Sequence, residues 1–240
     1  MLQTLLDMIY PVRCPICEEI VLPKEQMICY TCREKLVYVN EPFCMRCGKP
    51  IAVEEQEYCS DCERKKHHYE KGFAVWVYNE AMKNSIANFK YRNKKEYSHF
   101  YIQELIRVYA KHLQKLSVDA IIPVPLHKSK YLERGYNQAE LLAKGIGRKL
   151  QIPVITKLLI RSKKTLPQKK LGDKERLFNL SEAFKVNERF KDCKLTGLKR
   201  VLLVDDIYTT GSTIEACTIS LKSCGIKEVY FVVLCIGKGY

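Results

Sequence analysis

No stretch of this 240-residue chain approaches the roughly 20 consecutive apolar residues that cross a bilayer, so the sequence offers no transmembrane segment. Residues Met1 to Tyr10 lack the basic start and the small-residue cleavage site of a secretory leader. Their apolar members (Leu2, Leu5, Leu6, Met8, Ile9) recur at roughly helical spacing and predict a short amphipathic helix. The expected compartment is the cytoplasm. The low hydrophobicity of a disordered chain is also missing, since 47% of the residues are apolar. The length suits one well-buried α/β domain with a small appendage better than two full-sized domains.

Acidic residues are scarce: 27 Asp/Glu stand against 41 Lys/Arg, a net charge of +14. The deficit is uneven. Residues 1–71 carry 10 basic and 12 acidic side chains, a net of −2, and the remainder carries +16. The basic surface therefore belongs to the larger, C-terminal part. Such a field favours polyanions: nucleic acid, an acidic membrane surface or phosphorylated small molecules.

Cysteine is not scarce. Eight of the 12 fall in four identical pairs, Cys14/Cys17, Cys29/Cys32, Cys44/Cys47 and Cys59/Cys62, starting 15 residues apart each time. Two thiolates separated by two residues form a knuckle whose sulfurs face one ion, and two knuckles complete a tetrahedral site for zinc. Eight cysteines make two such sites, which points to two Zn2+ with structural roles, because no coordination position is left for water or substrate. The simplest partition is sequential: Cys14, Cys17, Cys29 and Cys32 on one ion, Cys44, Cys47, Cys59 and Cys62 on the other. An interleaved partition stays open, and redox-active dithiols are the competing reading. His67 and His68 read as solvated residues of a basic linker that begins at Arg64. Cys193, Cys217, Cys224 and Cys235 lack metal spacing and read as ordinary buried thiols. This pattern predicts a zinc module over residues 1–68 and a second domain over 69–240.

Beyond the module, the pattern predicts strands over 73–78, 120–124, 154–160, 183–186, 200–204 and 228–236. Helices are predicted over 80–89, 96–116, 137–150 and 213–224, the last stopped by Gly225, with a helical turn over 173–180. Residues 162–172 read as a polar, basic loop. Strands alternating with helices give an α/β class with a mainly parallel sheet flanked by helices.

The strongest chemical signal runs from Val201 to Ile214. An apolar strand ends in Asp205 and Asp206; Thr209, Thr210, Gly211, Ser212 and Thr213 follow; then a helix begins. Backbone N–H groups at that helix start form a positive cradle for a phosphate, and the hydroxyls add donors. Gly211 permits close backbone approach, so bulk there is expected to block the cradle and spare the fold. Asp205 and Asp206 can accept hydrogen bonds from two ribose hydroxyls, where open α/β sheets place ligands. No Gly-Lys-Ser/Thr follows the glycine, which excludes a Walker loop.

This motif resembles the 5-phosphoribosyl 1-diphosphate (PRPP) loop of type I phosphoribosyltransferases. With Ile122 to Lys128, Glu133 to Glu140, Arg161 with Gln168, and Arg176 with Asn179, nearly the whole chain resembles the ComF family, whose members are linked to DNA uptake in competent bacteria. The resemblance implies a pyrophosphate loop at residues 124–128 with Lys128 as its cation, and a mobile loop at 162–172. Arg134 and Arg176 can grip phosphate in a bidentate way or form structural ion pairs. Lys163, Lys164, Lys169 and Lys170 can meet phosphates there or be solvated. Tyr131 and Tyr136 can stack on bases or pack. Mg2+ would accompany PRPP, bridging pyrophosphate and ribose oxygens. The implied partners are single-stranded DNA, the DNA-import helicase and the recombination mediator, at the inner face of the membrane. No segment legibly selects a base, which is compatible with a binding domain or with an active phosphoribosyltransferase; the latter, with Asp205 and Asp206 in its catalytic site, is the alternative reading.

Overall fold

The computed structural model describes residues 11–23, 25–162, 183–190 and 197–238. Its frame is a sheet of β1 (Gly72–Val77), β2 (Ala120–Pro123), β5 (Arg200–Tyr208) and β6 (Glu228–Ile236), ordered β1-β6-β5-β2 with every neighbouring pair parallel. A separate antiparallel pair joins β3 (Leu159–Arg161) to β4 (Phe184–Val186). Strands of a parallel sheet are covered on both faces and so consist of nearly unbroken apolar runs. All of β1 is buried, as are Val201 to Val204.

Each face has its own core. On one, α3 (Glu80–Tyr91), α4 (Tyr97–Lys115) and α6 (Gln138–Leu150) bring Phe89, Tyr101, Leu105, Leu142 and Ile146 onto Leu202, Val204, Val232 and Leu234. On the other, α7 (Ser212–Ser223) brings Cys217 and Leu221 onto Val201, Leu203, Phe231 and Val233. Alternation along β5 then puts Asp206 on the face of Leu202 and Val204, and Asp205 on the opposite one. The caps tie helices to the region of the strand ends. Asn79 Oδ1 accepts from the Met82 N–H at 3.0 Å at the start of α3. Asn137 Oδ1 accepts from Ala139 N–H at 3.1 Å, and its Nδ2 donates to the Val124 carbonyl at 3.0 Å.

The cysteine-rich segment is built into this frame. Val39 N–H donates to Val75 O and Val77 N–H to Val37 O, so residues 37–39 run antiparallel along β1 and cover the sheet edge. Its short helices α1 (Tyr30–Arg33) and α2 (Ser60–Arg64) each follow a cysteine, Cys29 and Cys59. Cys14 and Cys32 join the first core; Cys44, Cys47 and Cys59 join the second.

Two expectations change. The strand over 154–160 is not continuous: Ile121 exchanges bonds with Pro153 and Ile155, which satisfies the edge of β2, and pairing resumes only at Leu159 against Val186. Cys217 and Cys235 are buried free thiols, but Cys224 is disulfide-bonded. The expected turn over 173–180, residues 163–172 and Cys193 lie outside the described residues. Among the described residues, no helix is long and apolar enough to cross a membrane.

Candidate functional site

The eight paired cysteines gather in the sequential partition: Cys14, Cys17, Cys29 and Cys32 in one cluster, Cys44, Cys47, Cys59 and Cys62 in the other. Within each cluster all sulfurs lie within 4.8 Å of one another. The geometry repeats every 30 residues rather than 15. Glu18 N–H donates to Cys14 O as Gly48 N–H does to Cys44 O, and the bridges Arg13–Ile20 and Phe43–Pro50 close equivalent hairpins. Glu18 (φ +67°) and Gly48 (φ +77°) occupy the same left-handed position. The second copy needs glycine there because a Cβ would stand 2.9 Å from the Gly72 carbonyl oxygen. Zinc fits both clusters: bonds of about 2.3 Å to four sulfurs put neighbouring sulfurs about 3.8 Å apart. Cys17 and Cys29 are 3.7 Å apart, Cys47 and Cys59 3.6 Å. These are two structural zinc sites, each made entirely of sulfur.

At the carboxyl ends of β2 and β5, the structure brings together most of the described residues singled out for phosphate chemistry. Gly211 (φ +77°) caps α7, and Glu215 N–H donates to its carbonyl at 2.8 Å. Thr209 and Thr210 are exposed, Ser212 and Thr213 partly so, and Thr210 Oγ1 lies 2.9 Å from Ser212 Oγ. The loop is thus open on its hydroxyl side. Its underside is closed. A Cβ on Gly211 would stand 2.2 Å from the Tyr208 hydroxyl, so the missing side chain points into the protein and not toward a ligand. Bulk at Gly211 therefore strains the fold, contrary to the expectation from sequence. Tyr208 lies flat on Phe231 (5.0 Å, 2°), and its hydroxyl meets that of Tyr69 at 2.7 Å.

The two carboxylates differ. Asp206 Oδ1 pairs with Lys90 Nζ at 2.6 Å, both side chains largely buried. Asp205 Oδ1 accepts from the Asp206 N–H at 2.9 Å. Burial first, and then the Asp206 charge, push the Asp205 carboxyl up to about 7. Arg161 runs beside the pyrophosphate-loop candidate, its strand bridged to His127, and its guanidinium lies over Phe184 at 5.1 Å. Burial holds Arg161 below its ordinary value.

Arg134, at the end of α5 (Lys128–Arg134), donates to Gln138 Oε1 at 3.0 Å and to the Tyr91 hydroxyl at 3.2 Å, and lies 4.7 Å over the Tyr91 ring. No carboxylate pairs with it among the described residues. Lys128 is exposed at the first residue of α5. Tyr136 is buried and donates its hydroxyl to the Phe89 carbonyl, so it packs and does not stack on bases, whereas Tyr131 is exposed. Arg176, Gln168, Asn179 and Lys163, Lys164, Lys169 and Lys170 lie outside the described residues.

Sequence reasoning missed three contacts. Lys90, just past the end of a predicted helix, was given no role in the site. Tyr69 and Tyr208 were given no role, although Tyr208 lies within the Val201–Ile214 run. His67 and His68 read as solvated, yet His67 is buried, with Nδ1 3.4 Å from Glu215 Oε2, and His68 bonds Glu215 through both its backbone N–H and its ring. Burial pushes the Glu215 carboxyl up, but these bonds outweigh it and hold it below its ordinary value. Each pair is far apart in sequence, and only the charge and burial preferences of Lys90 and Glu215 hinted at a partner.

Comparison with known proteins fits this geometry. Residues 5–63 match the double zinc ribbon domain, and residues 137–239 match the phosphoribosyl transferase domain. The chain is 33% identical over 177 residues to Competence protein F of Haemophilus influenzae, covering 70% of this chain and 74% of that protein. It is 32% identical over 201 residues to Competence protein ComFC of Bacillus subtilis, covering 81% and 77%. Among solved structures, purine phosphoribosyltransferase from Pyrococcus horikoshii aligns with 57% of this chain and 87% of that one, at 19% identity and a TM-score of 0.32. Double zinc ribbon, phosphoribosyltransferase-like sheet and shared sequence together make this chain a member of the ComF family of competence proteins.

Proposed function

We propose that the chain binds PRPP, or a related phosphoribosyl ligand, in the cradle of Thr209, Thr210, Gly211, Ser212 and Thr213, and that it handles incoming single-stranded DNA during natural transformation. The observation that carries the first half is the open hydroxyl loop at a helix start, set directly beside Asp205 and Asp206. Lys128 would meet the pyrophosphate and Arg134 and Arg176 would meet phosphates, and Arg134 supports this because no carboxylate pairs with its guanidinium among the described residues. Mg2+, when bound with the ligand, would offset the negative charge of its pyrophosphate, with Asp205 and Asp206 as the nearby carboxylates of this chain. The chain's own residues orient the sugar through the two carboxylates and exclude water on the buried side.

The DNA half rests on kinship to competence proteins and on the net +16 of residues 72–240. In this reading residues 1–68 form the zinc module and 69–240 the phosphoribosyltransferase-like domain. The protein works in the cytoplasm at the inner face of the membrane, with the import helicase and the recombination mediator as partners. The test is a transformation assay comparing wild type with Asp206→Asn, run beside calorimetry with PRPP and Mg2+ and a single-stranded DNA binding measurement. Loss of PRPP binding with transformation intact would reject the link between the two. An active phosphoribosyltransferase is the second reading, favoured by the intact carboxylate pair; release of pyrophosphate on adding candidate bases or amines would establish it.

A further inference from the structure

Lysine is the residue most at home in water, with a strongly hydrated ammonium on a flexible stem. Lys90 is an exception. It sits in the last turn of α3, and that turn is fixed on both sides. Phe89 is buried and its carbonyl accepts the Tyr136 hydroxyl, while Tyr91 lies under Arg134. The helix thereby delivers the ammonium to the carboxyl end of β5, 2.6 Å from Asp206 Oδ1, with the lysine side chain 19% and the aspartate 9% exposed.

A buried ion pair is not needed to hold such a junction together, because well-packed apolar side chains do so equally well or better. The Asp206 carboxylate has no other hydrogen bond or ion pair among the described residues; its backbone N–H donates to Asp205 Oδ1. The pair therefore leaves Oδ2 without a partner among the described residues, three positions before the hydroxyl loop begins at Thr209. Two adjacent carboxylates alone would also repel a phosphorylated ligand. A resident cation cancels half of that charge.

We propose that Lys90 is a positioning residue of the phosphoribosyl site: it clamps Asp206 through Oδ1 and leaves Oδ2 aimed to accept a hydrogen bond from a ribose hydroxyl. This rests on the phosphoribosyl reading given above. It adds the source of ribose selectivity, a lysine contributed by a helix more than 100 residues earlier in the sequence.

The test uses the full, zinc-loaded chain and calorimetry with ribose 5-phosphate and its 2-deoxy and 3-deoxy analogues. Wild type should prefer ribose 5-phosphate over at least one deoxy analogue by about 10-fold, the loss expected for a hydrogen bond to a charged acceptor. Lys90→Met should reduce that preference to about 2-fold, and Lys90→Arg should keep most of it. In Asp206→Asn the preference should already be gone, so the double variant Lys90→Met/Asp206→Asn should behave like Asp206→Asn alone. The double variant removes both charges of the Lys90–Asp206 pair together, so it guards against a result that reports one of them left buried and unpaired. A folded Lys90→Met protein that discriminates like wild type would overturn the proposal, as would losses that add in the double variant. Wild type that binds ribose 5-phosphate without discriminating would also overturn it. Wild type that binds neither ribose 5-phosphate nor PRPP would instead remove the phosphoribosyl reading on which it stands.

Discussion

Gly211→Ala is a sharp probe of how the phosphate loop is held. The added Cβ would stand 2.2 Å from the Tyr208 hydroxyl and 2.6 Å from its Cζ. Tyr208 cannot swing away freely, since it is stacked on Phe231, bonded to Tyr69 and overlain by Lys49 Nζ at 5.9 Å from the ring centre. Alanine must also adopt φ near +77°, which costs about 1–2 kcal/mol for a residue with a Cβ. Overpacking adds about 1–3 kcal/mol. Together these remove about 2–5 kcal/mol, which in a chain of this size lowers Tm by roughly 5–15 °C. Differential scanning calorimetry of the zinc-loaded protein measures this. Tyr208→Phe in the same chain removes the closest atom, so the alanine should do less damage there. A Tm within about 2 °C of wild type, or an alanine effect identical in both backgrounds, would refute the reasoning and put the glycine's free side toward the ligand.

Other outcomes follow from the same geometry. Elemental analysis should find two zinc ions per chain, and Cys44→Ser should lower both the zinc content and PRPP binding, whereas Cys17→Ser should spare PRPP binding more. Asp205 has a folded-state pKa raised to about 7 from an ordinary 3.8, so its protonated form favours the fold. That contribution is full below about pH 4 and is lost as pH rises through 7. Asp205→Asn should therefore gain stability over wild type at pH 8 relative to pH 6, read from urea midpoints; a constant difference would reject it. Single-stranded DNA affinity should fall steeply with salt, by a slope of about −0.7 per phosphate neutralised, and tolerate base sequence. A salt-independent affinity would remove the basic surface from the account.

What was legible in the sequence was contiguous. The run from Val201 to Thr213 carries strand, carboxylates, turn and helix start within 13 residues, so local pattern suffices to recognise it. The cysteine pairs were equally plain as pairs, although the sequence spacing of 15 hid a structural repeat of 30, because alternate knuckles adopt different shapes, a hairpin and a helical turn. Lys90 with Asp206, Tyr69 with Tyr208 and His68 with Glu215 each join residues more than 100 positions apart. Nothing in a periodicity distinguishes a lysine that ends a helix in water from one that ends it against a carboxylate. The strand expected at 154–160 failed for a related reason: β-branched residues favour a strand locally, but among the described residues β2 bonds this segment only through Ile121.

The two metal clusters sit differently with respect to the phosphate loop, and this has a physical consequence. The first adds Cys14 and Cys32 to the core on the Asp206 face, and α3, α4 and α6 supply that core with many other large side chains. The second is part of the floor of the loop itself. Cys44, Cys47 and Cys59 share a core with Tyr69, Tyr208 and Phe231, Lys49 spans from Asp61 to the Tyr208 ring, and Gly48 packs against the Gly72 backbone. On the far side of the loop, Glu215 in the first turn of α7 is gripped by His67 and His68, the residues that leave this cluster. An all-sulfur zinc site supplies folding energy to whatever its knuckles hold in place. At the second site that includes the tyrosine pair under Gly211 and the start of α7, so a metal there would stabilise the backbone proposed above to cradle a phosphate.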